Sequence, residues 1–107
     1  GVTALSGSGP AYVFLFIEAL QQAAAELGFT PEQGRQLALE TVQGAAALAV
    51  QSPEPASTLR ERVTSKGGTT EAALRVMAEK GVKEGIVAGC HAAAARGQEL
   101  GKILGGD

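Results

Sequence analysis

The feature that most constrains this chain is the apolar run from Ala11 to Leu20, which Glu18 alone interrupts. Gly7, Ser8, Gly9 and Pro10 precede it. Proline suits a first helical turn, where its missing N–H would have found no carbonyl anyway. The pattern predicts a helix from about Pro10 to Leu27, ended by Gly28 as the residue just past its C-cap. A helix that is apolar on nearly every side in its first half needs burial all round, not one wet face. A lone domain of 107 residues rarely hides a helix that completely, so a partner chain or domain is implied.

Further punctuation divides the remainder. Thr30-Pro31-Glu32-Gln33 reads as a capping box, with Thr30 as N-cap and Gln33 able to reach back, and opens a second helix running to about Gln51. Ser52-Pro53-Glu54-Pro55 breaks it, and a shorter helix covers Ser57 to Val63. The polar loop Thr64 to Thr70 feeds a fourth helix, from about Thr70 to Lys80, that stops at Gly81. The last helix runs from about Val82 to Leu104 and ends in a frayed Gly105-Gly106-Asp107. Composition agrees: 15 glycines, some twenty alanines and 4% aromatic residues build a core from small side chains, and alanine favours helix over strand. The expectation is one all-α domain, residues 1–107, of about five closely approaching helices. In the last helix Gly85, Gly89, Ala93, Gly97 and Gly101 recur every fourth residue. Each interior glycine costs a helix about 1 kcal/mol relative to alanine, so this ladder points to another helix backbone packed close against it.

The inventory of reactive groups excludes much. His91, Cys90 and Asp107 are each the only residue of their type, so no metal cluster of ordinary ligand spacing and no Ser-His-Asp triad with an internal aspartate can be assembled. A net charge of -2, with basic and acidic residues interspersed, leaves no electrostatic footprint for nucleic acid or anionic lipid. The longest apolar run falls far short of the roughly 20 residues of a membrane span, and no signal peptide is visible. The single thiol fits a reducing compartment. Cys90 reads as a small buried hydrophobe and His91 as a surface or interface residue. Starting at Gly1 in mid-pattern, the sequence is expected to be a piece of something longer.

Two glycine motifs invite a ligand. Gly7-Ser8-Gly9 resembles the start of a dinucleotide fingerprint, but Tyr12 stands where the third glycine belongs and no βαβ unit can follow. The loop Thr64-Ser65-Lys66-Gly67-Gly68-Thr69-Thr70 is the better candidate. Two glycines and several hydroxyls delivered onto a helix N-terminus suit a carboxylate or phosphate; the plainer reading is that Ser65, Thr69 or Thr70 caps the helix. Arg60, Arg62 and Lys66 either add positive potential to this loop or form a solvated charged face.

Ala4-Leu5-Ser6-Gly7-Ser8-Gly9-Pro10-Ala11-Tyr12 together with Val63-Thr64-Ser65-Lys66-Gly67-Gly68-Thr69-Thr70 resembles the carboxy-terminal domain of pyrroline-5-carboxylate reductase, and the likeness covers nearly the whole chain. The resemblance implies an all-helical domain interlaced with its twin in a homodimer, sometimes assembled further into rings of dimers. It follows an amino-terminal Rossmann domain that binds NADPH or NADH, a half absent here. It implies a cytoplasmic enzyme reducing 1-pyrroline-5-carboxylate to L-proline, with Ser65, Gly68, Thr69 and Thr70 holding the substrate carboxylate and Thr70 also facing the ring nitrogen. Many relatives carry proline where this chain has Lys66, which argues against a direct role for its charge. The isolated chain is then expected to be inactive. Two other readings stay open: a helical dimerisation module with no catalytic partner, and the helical domain of a dehydrogenase acting on a different small acid.

Overall fold

The computed structural model describes residues 3–104, and side chains within residues 5–102. The frayed end expected at Gly105-Gly106-Asp107 lies outside the described residues. Within them the chain is all-α, with no strand. A π-helical turn, Thr3–Gly7, is followed by α1 (Gly9–Glu26), α2 (Pro31–Gln51), α3 (Ala56–Arg62), α4 (Thr69–Glu79) and α5 (Val82–Leu104). All five expected helices are present, with ends within a residue or so of their punctuation.

The local chemistry accounts for the ends. Gly28 takes φ +101, a left-handed value that favours glycine. Its N–H reaches Ala25 O at 3.1 Å while Phe29 N–H reaches Ala24 O at 3.0 Å, the paired bonds of a Schellman stop. Two residues later the capping box is complete: Thr30 Oγ1 accepts Gln33 N–H at 3.1 Å, and Gln33 Oε1 accepts Thr30 N–H at 3.0 Å. The π-helical turn is the one element that residue patterning did not suggest.

The chain forms two compact units, one of residues 1–13 and 74–107 and the other of residues 14–73. In the first, the π-helical turn packs against α5. In the second, the buried positions are Ala24, Gly34 and Ala38. A Cβ placed on Gly34 would lie 3.2 Å from Ala24 Cβ, so small residues let α1 and α2 approach closely here. Elsewhere the α-helices expose what they would be expected to bury. Phe14 is 63% and Leu15 66% exposed, and Leu48, Val50, Ile86 and Val87 are exposed as well. The all-round burial expected for the first half of α1 is therefore not supplied by the described residues. The glycine ladder of α5 behaves the same way, because a Cβ at Gly85, Gly89 or Gly97 would meet nothing within 4 Å. Cys90 is half-buried rather than buried, and His91 is exposed as expected.

Candidate functional site

The loop between α3 and α4 is built from a helix stop, a tight turn and a helix start. At the stop, Thr64 N–H donates to Glu61 O at 3.1 Å and the Thr64 hydroxyl donates to Arg60 O at 2.5 Å. One of the loop's hydroxyls is thus committed to ending α3. Ser65 O then accepts Gly68 N–H at 3.1 Å, closing a four-residue turn. Gly67, third in that turn, has φ +76, the value that a type II turn requires at this position. Lys66 occupies the second position, where proline is favoured because its ring presets the dihedral.

A carboxylate in the first turn of α4 reaches back to the turn before the helix. Glu71 Oε1, in the first turn of α4, accepts Gly67 N–H at 3.0 Å. Gly68 cannot cap with a side chain, and its carbonyl accepts Ala72 N–H at 3.2 Å. Among the described residues, the hydroxyls of Ser65, Thr69 and Thr70 cap nothing. None of the three makes the bond that the plain capping reading requires of it. A Cβ on Gly68 would collide with Ser65 Oγ, so the absence of a side chain there leaves the serine hydroxyl its place. Ser65 and Thr69 are exposed, and Gly68 and Thr70 are half-buried. The turn thereby brings Ser65, Gly68, Thr69 and Thr70 together at one helix start.

The basic residues divide. Arg62 Nη2 lies 3.2 Å from Glu54 Oε1, tying the end of α3 back to the Ser52–Pro55 break. That exposed pair contributes little stability, on the order of 0–1 kcal/mol, but it draws one guanidinium away from the loop. Lys66 remains exposed on the turn itself. No group of three or more metal-ligating side chains occurs among the described residues. No nucleotide-binding unit is formed by them either, since Gly7-Ser8-Gly9 leads from a π-helical turn into α1 without a strand.

Helices with large exposed apolar side chains define an all-α association domain, and the loop before α4 is its candidate polar site. More particularly, the chain belongs to the pyrroline-5-carboxylate reductase dimerisation family, whose model matches residues 1–100. It is 47% identical over 104 residues to a pyrroline-5-carboxylate reductase of Vibrio alginolyticus, covering 96% of this chain and 38% of the relative. A pyrroline-5-carboxylate reductase of Pasteurella multocida is 42% identical, again with 96% and 38% covered. Among solved structures, the Plasmodium falciparum pyrroline carboxylate reductase with NADP bound superposes with a TM-score of 0.90 at 33% identity. That match covers 94% of this chain and 40% of the other. A Coxiella burnetii pyrroline-5-carboxylate reductase gives 0.88 at 46% identity, covering 92% and 37%. The chain thus spans less than two fifths of the length of these curated relatives.

Proposed function

We propose that this chain is the carboxy-terminal dimerisation and substrate-binding domain of an oxidoreductase that makes L-proline from 1-pyrroline-5-carboxylate in the cytoplasm. The observation that carries the reading is the Ser65–Thr70 loop, whose hydroxyls the chain's own caps leave unused, in a member of this family. Reduction adds a hydride to the imine carbon and a proton to the ring nitrogen, and the hydride comes from NADPH or NADH. Binding of that cofactor is assigned to a Rossmann domain outside this chain. This domain's own task is to hold and orient. The N-terminus of α4 attracts the substrate carboxylate, the backbone around Gly68 and Thr69 with the Ser65 hydroxyl fixes it, and the Thr70 hydroxyl lies toward the ring nitrogen. The partner is a second copy of the chain, which covers the exposed apolar faces.

The test is kinetic, on the full-length reductase. Thr70→Ala should lower kcat as well as weaken binding, because a contact strengthened as nitrogen changes charge appears in the rate. Ser65→Ala should act mainly on KM, since a carboxylate contact remote from the reacting carbon binds substrate and transition state alike. Losing one hydrogen bond to a charged group costs about 1.5–3 kcal/mol, or roughly ten- to a hundredfold in kcat/KM. Wild-type kcat and KM in both variants would overturn the assignment.

A further inference from the structure

The geometry points to Glu71 as a positioning residue for this site, acting through Gly67; the inference rests on the substrate-binding reading of the loop. Gly67 and Gly68 are adjacent glycines at the centre of the loop, the two residues with most backbone freedom to lose. The turn is tied at two points. One is the Ser65 O to Gly68 N–H bond at 3.1 Å, internal to the loop. The other is the Glu71 carboxylate on Gly67 N–H at 3.0 Å, which anchors the turn to the body of α4. Glu71 is half-buried and set in an 11-residue helix, so it brings a placed acceptor to a pair of glycines. Fixing Gly67 at its left-handed φ also sets where Gly68 falls, and with it the space that Ser65 Oγ occupies.

Cutting this tie leaves every substrate contact chemically intact while the loop spends less of its time in the binding arrangement. Apparent affinity then falls by the fraction of loops correctly arranged, whereas a bound substrate still meets the same hydroxyls. The effect therefore belongs in KM and not in kcat. Glutamine is the conservative replacement, because its carbonyl oxygen can accept the same N–H without the charge.

In the full-length reductase, Glu71→Ala should raise KM for pyrroline-5-carboxylate by about three- to tenfold with kcat within about twofold of wild type, the loop population setting the size. KM for the nicotinamide cofactor should not move. Glu71→Gln should restore KM to near the wild-type value even if it melts lower, because the helix end loses a favourable charge. Wild-type KM in Glu71→Ala overturns the inference, as does a Glu71→Gln enzyme no better than Glu71→Ala. Ser65→Ala assayed alongside separates the two levels: a raised KM there with an unaffected Glu71→Ala sinks only the role of Glu71, whereas wild-type KM in both removes the site reading itself.

Discussion

Lys66 stands at the second position of the Ser65–Gly68 turn, and none of the described residues accepts its backbone N–H. A proline there would remove a donor that is not in use and would preset the dihedral that the turn needs. Lys66→Pro is therefore expected to stabilise the protein by about 0.4–1 kcal/mol, chiefly by reducing the freedom of the unfolded chain. Thermal melting checks the sign. The same variant also asks whether the lysine charge serves the substrate: KM for pyrroline-5-carboxylate should stay level or fall, and a clear rise would assign the ammonium a part in binding. The Ser-x-Gly-Gly-x-Thr pattern was legible as a loop bearing hydroxyls on a helix start. Which side chain ties the turn to the helix was not. Ser65, Thr69 and Thr70 are all good N-cap residues by type, and only the folded backbone shows Glu71 taking Gly67 N–H instead. The signal available beforehand was an acid at the third position of the helix, as in a capping box without its serine.

Between elements, α1 and α2 approach closely at Gly34. A Cβ there would lie 3.2 Å from Ala24 Cβ and 3.7 Å from Gln21 O, so a methyl group is a squeeze and anything larger must part the helices. Gly34→Ala should be nearly neutral, since the roughly 1 kcal/mol gained in helix propensity offsets the crowding. Gly34→Leu should destabilise by about 1–3 kcal/mol through overpacking, measured by denaturant unfolding. Equal stability of the leucine variant would show that α1 and α2 can separate there without loss. The element boundaries themselves were readable because they are set by local chemistry, namely the Thr30 capping box, Gly28 past the end of α1, and Pro53 and Pro55 in the break before α3. The π-helical turn Thr3–Gly7 had no such signal, and its place against α5 is a tertiary contact.

At the scale of the whole molecule, the exposed apolar side chains decide the expected state in solution. Phe14, Leu15 and Phe16 are consecutive, and all three are exposed. Helical twist places them on different faces, so no single turn of α1 can be the wet side. This chain is expected to sediment as a dimer at micromolar concentration, with an obligate interface of more than about 2,000 Å² in total. Phe14→Glu should shift the sedimentation profile toward monomer while leaving helical circular dichroism largely intact. A well-folded wild-type monomer that stays monomeric would remove the dimer from the proposed function.

By itself the sequence determined the all-α class, the five α-helices and their ends, and the place of the loop from Ser65 to Thr70. Those depend on propensity, capping residues and glycine or proline stops, all of which act within a few residues along the chain. Only the tertiary structure decided what covers what. The Ala11 to Leu20 run and the α5 glycine ladder each called for a close neighbour, but periodicity names a face without naming its occupant. Ala24, Gly34 and Ala38 are buried within the chain, while Phe14, Leu15, Gly85 and Gly89 meet no such cover from the described residues. The reason is physical: burial is a property of surfaces brought together from distant positions or from another chain, and hydrophobic attraction carries no direction by which a sequence could specify the partner.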